Sequence, residues 1–184
     1  MRSVCVFCGS STGHDKRYIE SAQLLARELA SAELTLVFGG GKVGLMGVLA
    51  DEILRNSAKV IGVIPQFLYS REVGHDGITQ LEIVQSMHER KKRMADLSDA
   101  FIALPGGWGT LEELGEILTW KQLGLITQPV GILNVAGFFD PLLLQFSRMV
   151  EMGFLSAANK EKLVVHDNPA KLLTELQKSF IQAL

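Results

Sequence analysis

The segment richest in chemistry reads Leu104-Pro105-Gly106-Gly107-Trp108-Gly109-Thr110-Leu111-Glu112-Glu113. Its three glycines let the backbone turn and present its amides. A helix starting near Thr110 would aim free N–H groups and the positive end of its dipole at an anion, a phosphate above all. Thr110 adds a hydroxyl and Glu113 a carboxylate. Glu113 also has an ordinary explanation. Thr110-x-x-Glu113 has the spacing of a capping box, in which the two side chains close the start of a helix. On spacing alone the cap is the stronger explanation.

A second segment, Ser86-Met87-His88-Glu89-Arg90-Lys91-Lys92-Arg93-Met94, sets four cations in a row. Such a run usually marks a solvated face. At about 100° per residue, however, Met87, Met94, Ala95 and Leu97 define an inward side, and Arg90 and Lys91 fall on or beside it. Lys92, Arg93, Glu89 and Asp96 point away. An inward cation needs an anionic partner, which a ligand phosphate, a site carboxylate or a structural ion pair would each supply.

Two further glycine-rich stretches follow apolar runs. Cys8-Gly9-Ser10-Ser11-Thr12-Gly13 is small and hydroxyl-rich, suited to an anion or to a capped turn. Gly39-Gly40-Gly41-Lys42-Val43-Gly44 fits G-x-G-x-x-G between a strand and a helix. A dinucleotide site also wants an acid about 20 residues on, at the end of the next strand. That strand ends Ile64-Pro65-Gln66, which disfavours a dinucleotide-dependent oxidoreductase. No Gly-Lys-Ser/Thr is present, so the loop is not a Walker P-loop. Cys5 and Cys8 have C-x-x-C spacing but sit at the end of a strand, so free thiols in a reduced compartment are expected. The four histidines are scattered, and no metal site is expected.

The elements that must hold these segments alternate. Apolar runs at 3–8, 34–38, 59–64, 81–85, 100–104, 129–134 and 162–166 read as strands. Stretches of helical period fill 15–32, 44–57, 87–98, 111–124, 139–152 and 169–182, with 65–80 as a loop. The predicted fold is a single α/β domain over residues 1–184: a Rossmann-like doubly wound parallel sheet with helices on both faces. Ligands in such sheets bind beyond the carboxyl ends of the strands, where all three glycine-rich stretches fall. The composition agrees. With 47% apolar residues and a net charge of -2, the chain can bury a core and is a poor match for nucleic acid. The short apolar start and the lack of a long apolar run lead us to expect no signal peptide, no membrane span and a cytoplasmic location.

Taken together, these segments resemble the Lonely Guy (LOG) family of cytokinin riboside 5′-monophosphate phosphoribohydrolases. PGGWGTLEE fits that family's P-G-G-x-G-T-x-x-E signature, and Met87-His88-Glu89-Arg90-Lys91 fits its M-H-x-R-K segment. The two earlier glycine loops fit as well, and the likeness runs from about residue 3 to residue 175. Members are also called lysine decarboxylases, yet nothing here argues for that chemistry or for a pyridoxal cofactor.

The resemblance implies an enzyme that hydrolyses the N-glycosidic bond of AMP or a cytokinin riboside monophosphate, without metal or cofactor. It implies Arg90 and Glu113 as the catalytic pair. Substrate contacts are implied at Glu72, Arg90, Lys91, Gly107, Trp108, Gly109, Thr110, Leu111, Glu112, Glu113 and Thr119. It also implies a homodimer with its sites near the subunit interface. A general AMP nucleosidase and a non-catalytic nucleotide-binding module stand as alternatives.

Overall fold

The computed structural model describes residues 1–69 and 74–183. Seven strands form one sheet in the order β4-β3-β2-β1-β5-β6-β7, and every pairing is parallel. They are β1 (Ser3–Phe7), β2 (Thr35–Phe38), β3 (Val60–Pro65), β4 (Gln80–Val84), β5 (Phe101–Ala103), β6 (Val130–Leu133) and β7 (Leu163–His166). The helices are α1 (Lys16–Ser31), α2 (Gly44–Arg55), α3 (Gln66–Tyr69), α4 (Met87–Asp96), α5 (Trp108–Gln122), α6 (Asp140–Glu151), α7 (Ala157–Glu161) and α8 (Pro169–Gln182). No described helix is long and apolar enough to cross a membrane.

The strands are apolar because both faces of the sheet are covered. Successive residues of β1 face opposite ways: Val4 and Val6 enter one core with α1, α2 and α8, while Cys5 and Phe7 enter the other with α4 and α5. Helix periodicity follows the same logic. In α1, Ala22, Leu25, Ala26 and Leu29 form the buried stripe, and each fully buried leucine contributes roughly 2 kcal/mol of transfer free energy. Asp15 starts that helix by accepting from the Arg17 N–H.

The chain builds outward from β1 to β4, then returns to place β5 on β1's other side. Connections leaving β1 and β5 therefore diverge, and a crevice opens between their carboxyl ends. The expected architecture is present, with local differences. The stretch predicted as the loop 65–80 contains the single turn α3, whose residues are not buried and so carry no apolar period. A 3-10 turn (Val135–Gly137) and α7 are likewise too short for periodicity to reveal. Helix α5 begins at Trp108, three residues before the predicted start at 111.

Candidate active site

The three glycine-rich strand exits are hydrogen-bonded to one another. Gly9 N–H donates to Pro105 O at 3.0 Å, and Leu45 N–H donates to Gly9 O at 3.0 Å. Gly44 has φ +62°, and a Cβ there would meet the Ser10 backbone at 2.2 Å. This glycine thus lets the second loop pack against the first. The segment resuming at Gly74 is tied in too, by a Gly41–Gly74 bridge and by His75 N–H on Gly40 O at 2.9 Å. Three separate loops become one floor under the crevice.

Arg90 reaches that floor from α4. Its helix starts at Ser86, whose hydroxyl accepts from the Glu89 N–H. Arg90 faces inward and is only 5% exposed. Its Nη2 donates to Gly39 O at 2.8 Å, and its Nε donates to Val63 O at 3.1 Å. These carbonyls lie at the ends of β2 and within β3, so the guanidinium is fixed by sheet backbone. A Cβ on Gly39 would stand 2.0 Å from Arg90 Nη2. The first glycine of G-x-G-x-x-G is therefore explained by the arginine beside it.

Glu113 enters from α5, and here the structure corrects the sequence reading. The N-cap is Gly107, with no side-chain cap bond, and the first helical bond runs from Leu111 N–H to Gly107 O. Thr110 is buried in the first turn instead of preceding it, so the Thr110–Glu113 capping box does not form. Gly107 takes the N-cap position, so the helix starts ahead of the Thr110 that the spacing would make its cap. Glu113, only 9% exposed, sits on the inward face of the second turn. First-turn N–H groups have no acceptor within a helix, and they open toward the same crevice.

Arg90, Glu113, Gly107, Trp108, Gly109 and Thr110 line one pocket of about 160 Å³, together with Cys8, Ser10, Gly39 and Met46. Trp108 stands at its edge, 89% exposed. Cys5 and Cys8 are free thiols. Burial pushes the Cys8 thiol far above its usual range; the Glu113 carboxylate adds to this and the Arg90 guanidinium opposes it. Cys8 therefore presents a neutral thiol within the field of both charged groups. Among the described residues, no three His, Cys, Asp or Glu side chains come together as a metal would require.

The other implied contact residues lie elsewhere. Lys91 and Glu112 pair with each other and do not line the pocket. Leu111 and Thr119 face a separate apolar groove between α5, α6 and α7; the Thr119 hydroxyl donates to Gly115 O at 2.7 Å. Glu72 falls outside the described residues. Cys8 and Gly39 lie in the two strand-exit stretches that the sequence marked as ligand loops, without singling out either residue. Met46, on α2, carried no signal of its own.

Comparison with known proteins follows the same lines. The family model described as "Possible lysine decarboxylase" matches residues 46–176. A probable cytokinin riboside 5′-monophosphate phosphoribohydrolase of Oryza sativa subsp. japonica is 46% identical over 177 residues, 96% of this chain and 72% of that protein. A cytokinin riboside 5′-monophosphate phosphoribohydrolase of Arabidopsis thaliana is 45% identical over 96% of this chain and 83% of that one. Among solved structures, the molybdenum cofactor carrier protein of Chlamydomonas reinhardtii has a TM-score of 0.73 at 18% identity, covering 98% of both chains. The molybdenum cofactor binding protein of Rippkaea orientalis gives 0.72 at 20% identity, over 98% of this chain and 97% of that one. At such identities these two share the fold alone. With the family model matched along most of the sequence, and relatives of this identity along nearly all of it, the chain belongs to the Lonely Guy (LOG) family.

Proposed function

We propose that this protein hydrolyses the N-glycosidic bond of purine riboside 5′-monophosphates, cytokinin riboside monophosphates among them, releasing the free base and ribose 5-phosphate. The observation that carries the reading is the convergence of Arg90, Glu113 and the α5 N-terminus on one pocket at the sheet's switch point. Relatives at 45–46% identity named for this reaction support the substrate class.

Breaking the bond builds positive charge at the anomeric carbon and negative charge on the departing base. Glu113, partly desolvated, stabilises the cation or takes a proton from the attacking water. The water's hydroxyl ends on the anomeric carbon, and a proton ends on the base. Arg90, held by two backbone carbonyls, supplies a fixed positive charge beside the carboxylate and the sugar phosphate. The 107–110 turn binds the 5′-phosphate through backbone N–H groups and the helix dipole. At about 160 Å³ the pocket is smaller than the roughly 300 Å³ where sites for whole drug-sized ligands begin. It seats the ribose phosphate, and the base lies over the mouth beside Trp108. Two buried free thiols support a reducing, cytoplasmic setting. The exposed apolar surface beside α5 supports a homodimer.

The test is to incubate the protein with AMP, isopentenyladenosine 5′-monophosphate and adenosine, following free base by chromatography. Release from the monophosphates and at least about 100-fold less from adenosine is expected, because phosphate binding places the scissile bond. Equal rates on both monophosphates would make it a general AMP nucleosidase. Binding of AMP with no release from any substrate would leave a nucleotide-binding module.

A further inference from the structure

His75 is a buried titratable group that the mechanism above does not use. It belongs to the segment resuming at Gly74, and only 4% of it is exposed. Its Nε2 lies 3.0 Å from Asp51 Oδ1 on α2. A carboxylate only accepts, so Nε2–H donates to Asp51 and Nδ1 keeps a lone pair. That Nδ1 is enclosed, with no partner among the described residues. A ring kept only to fill space would be apolar, because an enclosed nitrogen without a partner costs free energy. The bond to Asp51 is what the imidazole adds. The backbone at this ring holds the second glycine loop. His75 N–H donates to Gly40 O at 2.9 Å, and Gly74 pairs with Gly41. The same loop presents Gly39 O to Arg90 Nη2 at 2.8 Å. Beneath it β3 comes close: a Cβ on Gly62 would stand 2.8 Å from Gly40 Cα and 2.7 Å from Ile78 Cδ1. Gly62 offers no side chain to hold the loop, so the loop's place along the strand depends on its hydrogen bonds.

We propose that His75 and Asp51 are a positioning pair for Arg90. Their bond anchors the segment at Gly74 and His75 to α2, that segment fixes the 39–41 loop, and the Gly39 carbonyl sets where the guanidinium stands. The proposal rests on the reading of Arg90 and Glu113 as the catalytic pair. Each step is a direct contact: the Asp51 side chain with the His75 ring, the His75 backbone with Gly40, and Gly39 with Arg90. Neither His75 nor Asp51 lines the pocket that Arg90 and Glu113 share. The pair therefore acts on the reaction through Arg90 and not by touching the substrate.

The experiment compares kcat and KM for base release from AMP in wild type, Asp51→Ala, His75→Phe, the double variant and His75→Gln. Melting curves confirm that each folds. Asp51 is half-exposed, so Asp51→Ala breaks the bond in a chain that keeps its core. Asp51→Ala and His75→Phe should each lose about tenfold in kcat, with KM changed less than about twofold, since small misplacement of reacting groups is costly. The double variant should be no worse than His75→Phe, because one link is broken in both. His75→Gln keeps an N–H donor for Asp51 and should bring kcat to within about threefold of wild type. A last pair of variants tests the route through Arg90. Added to Arg90→Lys, which lacks the fork that bonds Gly39 and Val63 together, His75→Phe should cost less than about twofold more. A full tenfold loss in that background overturns the proposal. So does a lowered melting temperature with kcat unchanged in every variant, or a raised KM with kcat unchanged. A wild type that binds AMP but releases no base defeats the reading of the site itself, and the positioning role with it.

Discussion

At the scale of single residues, the site depends on atoms that a motif search does not register. Arg90 was legible as an inward cation from the period of its helix, whereas the spacing of Glu113 pointed to a helix cap and only the family resemblance marked it as a site residue. The surroundings of Arg90 were not legible, because its acceptors are the backbone carbonyls of Gly39 and Val63, 51 and 27 residues earlier in the chain. This gives two contrasting expectations. Glu113→Gln keeps the side chain's shape and removes its charge, so kcat should fall by about 10²-fold or more while AMP still binds. Gly39→Ala touches no reacting group, yet its Cβ would stand 2.0 Å from Arg90 Nη2 and force the guanidinium out of place. Its kcat should also fall by about 10²-fold. Steady-state kinetics beside AMP titration checks both. Retained activity in Gly39→Ala would mean that Arg90 works from another position.

At the scale of elements, the strands and long helices were legible because their burial has a period. The helix starts were less so. Spacing placed Thr110 at the cap of α5, but Gly107 took that position, and Glu113 changed from a cap partner to a buried carboxylate on the pocket wall. A short element such as α3 gives no periodic signal at all. Polar links between elements were equally invisible, since each needs two distant segments to be placed first. Arg93, expected to point to solvent, reaches back to edge strand β4, where its Nε and Nη2 bond Glu82 at 2.6 and 2.9 Å. The Arg93 guanidinium holds the Glu82 carboxyl below the usual glutamate range against the opposing effect of burial. A depressed carboxylate stabilises the fold above its unfolded pKa, about 4.3, and that contribution disappears as pH falls through the lower folded value. Both side chains are partly solvated, so the pair contributes no more than about 1 kcal/mol. Glu82→Gln should therefore lower the melting temperature near neutral pH and flatten its decline below about pH 4. Melting curves of the two proteins between acid and neutral pH decide it. Parallel curves would show that the pair adds nothing measurable.

At the scale of the whole molecule, alternation of apolar runs and helices implied a parallel doubly wound sheet, and that topology brings three distant glycine loops to one crevice. The surface on the far side of α5 could not be read in this way. Leu111, Leu118 and Thr119 of α5 face Leu142, Phe146 and Met149 of α6 across an open apolar groove. Close by in the sequence, Leu144 and Phe154 are 71% and 86% exposed. Apolar surface of this extent on a monomer marks a contact site, and the helix beneath it carries Glu113. Two of the substrate contacts implied by the family pattern, Leu111 and Thr119, face this groove and not the pocket. Both facts are accounted for if a second copy covers the groove and brings its own groups to the rim of the site. Light scattering after gel filtration should then give twice the chain's mass. Phe154→Glu should shift the protein toward monomer and lower base release in proportion to the dimer lost. A wild-type monomer with full activity would show that each chain completes its own site, and would leave Leu111 and Thr119 without a part in substrate binding.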